Sequence, residues 1–316
     1  MQRKTKFRMS TPNLSRRHML MAGAAAPFAA MSGKVAHAKA EQIPISTTDY
    51  RRFRLGDFEV TTLLAGMRTV PDPQTIFGMN VGAEEFNAAS QMANIPSNAA
   101  QFFFTPTLVN TGVELVLFDT GLNPAGIIGA IGAAGYAPDQ VDVVVITHMH
   151  GDHIGGLMGD GSATFPNARY VTGAVEFDHW AAAGNERFDQ KVAPLAEQMS
   201  MINAGDVVVP GIEAVAAFGH TPGHMTYRLD SGGKSLLIAA DFANHYVWSL
   251  AYPDWEVKFD MDKAGAAATR RSLLSMMAAE KMPFIGYHMP FPALGYVEER
   301  DGGFHYVPHS YQLLMG

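Results

Sequence analysis

The chain has 316 residues, 47% hydrophobic and 17% charged, with a formal net charge of −7 and no cysteine. That is length enough for one sizeable core or two small ones. The acidic balance argues against a nucleic-acid partner, since negative surfaces repel phosphate backbones. Without cysteine there are no disulfides or thiolate ligands, so any metal site must use histidines and carboxylates.

Arg3, Lys4, Lys6 and Arg8 lead into Ser15-Arg16-Arg17-His18-Met19-Leu20, an uncharged stretch runs from Met19 to Met31, and Ala36-His37-Ala38 has the small-x-small form of a cleavage site. This is the three-part plan of an export signal. The paired arginines and the Ala/Gly-diluted apolar region point to the twin-arginine route. The apolar run of about 13 residues falls short of the roughly 20 that span a bilayer. The expectation is a signal peptide over residues 1–38, cleaved after Ala38, no stable membrane anchor, and a periplasmic mature domain over 39–316. Its loss removes seven Lys/Arg and no acids, so the formal charge moves from −7 to −14.

Residues 39–50 read as a polar lead-in and Phe58–Leu64 as a strand, from its β-branched content. Residues 67–100, punctuated by Pro71, Pro73, Gly78, Gly82 and Pro96 around a short helix Ala83–Met92, read as a surface excursion that shapes a pocket rim. Phe103–Asn110 and Glu114–Asp119 flank Thr111-Gly112, a hairpin signal. A small-residue helix Ala125–Ala134 precedes a buried strand, Val141–Thr147. Tyr170–Thr172 is a strand, and helices are expected at Ala174–Ala182 and Val192–Ile202. Strands follow at Asp206–Pro210, Glu213–Phe218, Met225–Leu229 and Ser235–Ala240. A long helix Lys263–Ala279 leads to a strand Pro283–Tyr287 and a pair Tyr296–Glu299 and Phe304–Val307. No repeat or long linker interrupts the pattern, which favours one domain. Strand-rich halves alternating with helices predict two sheets with helices outside, a layered α/β arrangement.

The densest chemistry is His148-Met149-His150-Gly151-Asp152-His153, directly after the buried strand. A lone His-x-His reads as a polar loop. Four metal-capable side chains in six positions cannot enter a core without partners. His148 and His150 have the same-side spacing of an extended segment and can serve one metal. Asp152 and His153, past the flexible Gly151, can turn toward a second. Further candidates are His220 and His224 in Gly219-His220-Thr221-Pro222-Gly223-His224, Asp241 after Leu236–Ala240, and His288 after Phe284–Tyr287. Functional side chains collect at such strand ends in layered α/β folds.

His148-x-His150-x-Asp152-His153, then Thr221-Pro222-Gly223-His224, Asp241 and His288 in that order, resemble the metallo-β-lactamase superfamily of dinuclear metallohydrolases. The likeness runs through the mature chain. It is closest to the methyl parathion hydrolase and lactonase branch, through Leu55–Val60, Leu117–Gly121, Ile146–His150 and the tail Pro290-Phe291-Pro292 through Tyr306-Val307-Pro308. It implies a four-layer αββα sandwich. It implies that His148, His150 and His224 hold one metal, that Asp152, His153 and His288 hold the other, and that Asp241 bridges them. Asp119 matches an aspartate that orients a ligand histidine from behind, and His220 reads as supporting or structural. The chain departs from the pattern at Gly151, where phosphotriesterase relatives usually have Pro, and at Ala239-Ala240, where a Gly usually precedes the aspartate.

The cofactors so implied are two divalent metal ions, zinc foremost, with Mn, Fe, Co or Ni open to the same donors. The function implied is an exported hydrolase. A hydroxide bridging the metals attacks the electrophilic centre of an ester-type bond, Asp241 holds the metal pair, and Asp152 passes a proton to the leaving group. A lactone or aryl ester is the expected substrate, with phosphotriesters as a side activity. Ile127 and Ile128 stand where phosphotriesterase relatives carry an aromatic. Trp180, Phe242 and Trp248 are the aromatic candidates for the substrate pocket. The expected partners are a small-molecule substrate, the twin-arginine export machinery and, as a possible assembly, a homodimer. Two other readings stay open: a redox enzyme of the same fold (persulfide dioxygenase or di-iron type) and a non-catalytic periplasmic metal-binding protein.

Overall fold

The computed structural model describes residues 47–310. The export signal expected over 1–38, the start of the lead-in and the last six residues lie outside them. Strands β1 (Tyr50–Leu55) and β2 (Phe58–Leu63) form a tight hairpin on Gly56, whose φ of 57° favours glycine. β3 (Gly66–Pro71) and β4 (Ala99–Phe104) pair as a separate ribbon, with helix α1 (Ala83–Met92) in the excursion between them. β5 (Thr107–Asn110) and β6 (Leu115–Phe118) make the hairpin expected around Thr111-Gly112. Phe103 and Phe104 belong to β4 instead of the β5 strand, because Pro106 interrupts the run and the ribbon takes the preceding residues.

Helix α2 (Pro124–Ala133) starts where Asn123 accepts the Gly126 N–H at 2.9 Å and proline fills the first helical position. After it come β7 (Val143–Ile146), the single turn α3 (Gly151–Ile154), and the short pair β8 (Met158–Gly159) and β9 (Ser162–Ala163). β10 (Arg169–Gly173), α4 (Ala174–Ala182), α5 (Glu186–Lys191) and β11 (Met199–Ile202) complete this half. The helix expected at Val192–Ile202 is not formed. Pro194 allows only a 3₁₀ turn over Ala193–Gln198, and Met199–Ile202 then pairs in parallel with β10.

The first sheet runs β1-β2-β5-β6-β7-β10-β11. The second contains β12 (Val207–Val209), β13 (Ile212–Ala216), β14 (Met225–Ser231), β15 (Lys234–Ala240), β16 (Phe284–Gly286), β17 (Leu294–Arg300) and β18 (Gly303–Pro308), in that order. Helix α6 (Lys263–Glu280), capped by Asp262, packs on β17. Val60, Val116, Phe118 and Val145 of the first sheet share one buried cluster with Leu229, Leu237, Ile238 and Phe284 of the second. Ile127, Ile131, Val144, Ile146 and Phe188 form another cluster on the outer face of the first sheet. The layers are therefore helix, sheet, sheet, helix, an αββα sandwich. Among the described residues no helix is long and apolar enough to cross a membrane.

Candidate metal centre

β7 lies in parallel between β6 and β10 and is buried throughout, as its run of β-branched residues requires. Its carboxyl end therefore delivers Thr147-His148-Met149-His150 to one edge of the sandwich, and α3 turns Asp152 and His153 back to the same place. β15 and β16 are also parallel, so Asp241 and His288, past their carboxyl ends, arrive together from the second sheet. His220 comes from the loop between β13 and β14. The donors thus come from both sheets.

They form two groups, His148, His150 and His220 in one and Asp152, His153, Asp241 and His288 in the other. Within each group the donor atoms all lie within 4.8 Å of one another. In the first, His150 Nδ1 stands 3.1 Å from His148 Nε2 and 3.0 Å from His220 Nε2. Nitrogens of one tetrahedral zinc, each bonded at about 2.0–2.1 Å, stand about 3.3–3.4 Å apart. In the second, His288 Nε2 is 3.1 Å from Asp241 Oδ2 and 3.3 Å from Asp152 Oδ2. Asp241 links the two groups: Oδ1 lies 3.4 Å from His153 Nε2, and Oδ2 lies 3.6 Å from His220 Nε2.

The outer nitrogen of four of these rings is already engaged. His153 Nδ1 lies 2.8 Å from Asp119 Oδ2, and His220 Nδ1 lies 2.8 Å from Asp260 Oδ1. His288 Nδ1 meets the Phe103 carbonyl at 2.8 Å, and His148 Nδ1 meets Thr147 Oγ1 at 3.1 Å. Thr147 in turn donates both its N–H and its hydroxyl to Asp119. Each partner accepts, so the outer nitrogen carries hydrogen and the inner nitrogen faces the site. His153 Nε2 and Asp241 Oδ1 are buried with no hydrogen-bond partner. Orphaned atoms of this kind cost about 1–3 kcal/mol each. Divalent cations in the two groups would satisfy them, so the donor set fits the metal pair.

Electrostatics divides the halves. Burial, then the neighbouring imidazoles, hold His148 well below its ordinary value and His150 down to about 3. These two rings are neutral and ready for a cation. Burial alone would lower His153 and His288 as well. The carboxylates of Asp241 and its neighbours outweigh it, raising His153 well above its usual range and His288 to about 10. Burial likewise pushes Asp152 up, but the charge of His153 and the hydrogen bond from His288 overcome it and hold Asp152 at about 2. A cation entering this half must displace protons from histidine.

The structure places His220, not His224, with His148 and His150. His224 Nε2 accepts the backbone N–H of Asp241 at 3.0 Å, so its lone pair is spent on the loop that carries the aspartate. Phe242 and Trp248 do not line the cleft either. Phe242 is buried in the inter-sheet core. Trp248 packs on Phe86, 4.8 Å between ring centres, with its N–H on Ser90 Oγ. The hydrogen bond and the aromatic packing satisfy the indole inside the fold. Trp180 is half-buried and stands edge-on to His150 at 5.9 Å. The cleft beside the donors has a volume of about 370 Å³, and its aromatic wall is Phe102, Phe104 and Phe259. Ile127 is buried beneath the first sheet and Ile128 is exposed.

Several supporting residues carry no sequence signal. Glu176, fully buried, accepts from the N–H of Met149 and the indole of Trp180 on one oxygen, and from the Thr221 hydroxyl and Gly223 N–H on the other. It ties both histidine loops to α4. A β-carbon on Gly223 would collide with the Glu176 backbone, so the approach needs glycine. Arg270, also buried, holds Asp260 Oδ2 at 2.7 Å. Asn244, three residues further along the chain, donates to Asp241 Oδ2 at 2.9 Å. Tyr287 donates its hydroxyl to the Asp152 carbonyl at 2.6 Å while its ring covers His153. Ala240, standing where relatives usually have glycine, takes φ 48°, a left-handed conformation that turns the chain into Asp241.

A family model described as the metallo-beta-lactamase superfamily matches residues 105–288. The chain is 27% identical over 119 residues to the N-acyl homoserine lactonase AiiA of Bacillus thuringiensis subsp. kurstaki, covering 37% of this chain and 45% of that protein. The match therefore spans under half the length of that lactonase. An uncharacterized protein, YobT of Bacillus subtilis (strain 168), is 28% identical over 164 residues, 46% of this chain and 68% of its own. Among solved structures, AidC, a dizinc quorum-quenching lactonase, superposes with a TM-score of 0.76 at 24% identity, over 83% of this chain and 97% of that one. The hydrolase AbOPH superposes with a TM-score of 0.77 at 25% identity, over 84% and 99%. With its family model covering more than half of the sequence and its αββα sandwich shared with these structures, the chain belongs to the metallo-β-lactamase superfamily.

Proposed function

We propose that this protein is a dinuclear metal hydrolase that cleaves an ester-type bond, a lactone or aryl ester foremost. The observation that carries the reading is Asp241, whose carboxylate lies against His153 and His288 of one donor group and within 3.6 Å of His220 of the other, beside the cleft. We assign His148, His150 and His220 to one ion and Asp152, His153 and His288 to the other, with Asp241 shared. Bound divalent ions would supply a water acidic enough to act as nucleophile at neutral pH and an electrophile for the substrate oxygen. Asp152 faces the cleft and is held as a carboxylate. It must take a proton from the attacking water before it can give one to the leaving oxygen. Phe102 and Phe104 shape the apolar side of the cleft and exclude water from the acyl group.

The lactonases among the relatives support the choice of lactone or ester, and AidC supports two zincs. Phosphotriester cleavage is a side activity in this reading. The signal-like residues 1–38 support a periplasmic location by the twin-arginine route, which fractionation of native and Arg16→Lys/Arg17→Lys chains would test. The hydrolase itself is tested with zinc- or manganese-loaded protein lacking residues 1–38 against dihydrocoumarin, acyl-homoserine lactones, aryl acetates, methyl parathion and nitrocefin. Turnover of the lactones or acetates is expected. Dinuclear iron with oxygen uptake and no ester cleavage would replace this reading by the redox one.

A further inference from the structure

The cleft carries two arginines that nothing in the fold uses. Arg52, Arg169, Arg228, Arg270, Arg271 and Arg300 each stand within ion-pair distance of a carboxylate. Arg68 on β3 and Arg187 on α5 both line the cleft that contains His150, Asp152, Asp241 and His288. Neither guanidinium has a carboxylate or hydrogen-bond partner among the described residues.

The backbone of Arg187 is fixed, and its side chain, like that of Arg68, is exposed. Asn185 caps α5 by accepting the N–H groups of Arg187 and Phe188 at 3.0 and 3.1 Å, and Phe188 is buried in the outer core. The guanidinium then lies on Gly151, where any β-carbon would collide with it. Gly151, between His150 and Asp152, lets the guanidinium lie against the chain beside the donors. Arg68 approaches from the ribbon on the β3 side. The carboxylates that line the cleft are engaged with histidines: Asp152 with His288 and His153, Asp241 with both.

We propose that Arg187 and Arg68 make this cleft selective for substrates that carry a carboxylate away from the scissile bond. The substrate class is then a half-ester or a carboxylated lactone, with the apolar spacer on the aromatic wall and the carboxylate between the guanidiniums. Two planar forks suit a carboxylate geometrically. In a chain of net charge −7, a local cationic mouth also steers an anion inward. The inference rests on the hydrolase reading only for the bond that is cleaved, since recognition by the arginines can be measured without turnover.

The test uses a matched pair, the mono-4-nitrophenyl ester of adipic acid and its methyl ester, with metal-loaded protein. The acid is expected to be preferred in kcat/KM by about tenfold, mostly through KM. The preference should shrink as salt rises from about 0.01 M to 1 M, where the screening length falls from about 30 Å to 3 Å. Arg68→Gln/Arg187→Gln is expected to bring the ratio near one. Calorimetry with adipic acid mono-4-nitroanilide and its methyl ester measures the same preference without cleavage. A native protein that favours the methyl esters, or a preference that survives the double substitution, overturns the proposal. Arginine-dependent binding of the acid anilide with no ester turnover would sink the hydrolase reading and leave this one standing.

Discussion

Asp260 joins His220 to Arg270: one carboxylate oxygen lies 2.8 Å from the imidazole Nδ1 and the other 2.7 Å from the guanidinium. All three side chains are buried. The arginine, held also by the carbonyls of Phe242 and Pro253, keeps the aspartate charged and fixed. The aspartate then fixes the tautomer that points the His220 lone pair at His150.

Asp260→Asn can turn its N–H toward His220 and favour the wrong tautomer. Metal affinity at the three-histidine group should fall about 10–100-fold, the usual range for such partners. Competition with a chelator of known affinity measures it, and unchanged affinity would remove the role given to Asp260.

The exchange of His220 for His224 is decided by metal counting. His220→Ala should lose one equivalent of metal, while His224→Ala should keep two and lose stability instead, because it frees the Asp241 N–H. Elemental analysis of both variants after dialysis distinguishes them. Two equivalents in His220→Ala and one in His224→Ala would restore the assignment expected from the sequence.

Asp241→Ala removes the carboxylate shared by both groups. Hydrolysis of every substrate should drop to background, with circular dichroism unchanged. Full turnover in this variant would end the dinuclear mechanism.

Glu176 has four donors aimed at it. Glu176→Gln places an amide N–H₂ against N–H groups that cannot turn away, and should destabilise the fold by about 2–4 kcal/mol. Urea unfolding of the metal-loaded proteins reads the difference.

His245 gives a pH prediction separate from the metal donors. Burial lowers it to about 3, and its Nδ1 accepts the N–H groups of Val247 and Trp248. Its folded value lies below the unfolded 6.5. Its contribution is therefore complete above pH 6.5 and is lost as pH falls toward about 3, because the unfolded chain takes up the proton first. His245→Asn keeps an acceptor and cannot titrate, so its stability should depend less on pH across that window. Parallel acid limbs for the two proteins, measured by chemical denaturation, would contradict the assignment.

How much of this could be read in advance depended on what fixes each residue. The β-branched run of β7 and the six residues after it are local, so strand, loop and donors were all legible there. Gly219–His224 contains two histidines, and the family resemblance put the ligand at His224 and a supporting role at His220. Only the approach of Asp260, forty residues on, and of the Asp241 amide separates them. Val192–Ile202 has helical composition, but a single Pro194 and a parallel partner strand override it. The aromatics after Asp241 looked like pocket residues because they are close in sequence, yet Phe242 turns into the inter-sheet core and Trp248 packs with Phe77 and Phe86, while Phe259 reaches the cleft. Arg187 sits in a six-residue helix where a charge reads as solvated surface. Its meaning comes from Gly151, which shows no side chain with which to announce a contact.

Because the donors come from both sheets, a metal pair would be a rivet through the sandwich as well as a reagent. His148 to His153 hang from one sheet, and His220, Asp241 and His288 from the other. Stripping the ions would leave the halves joined at that edge by hydrogen bonds and histidine–carboxylate pairs, the latter weakening as the histidines lose their protons. An enzyme made this way cannot be switched off by metal starvation without also being loosened. Loss of the ions would then weaken the hold between the sheets together with the hydrolytic activity.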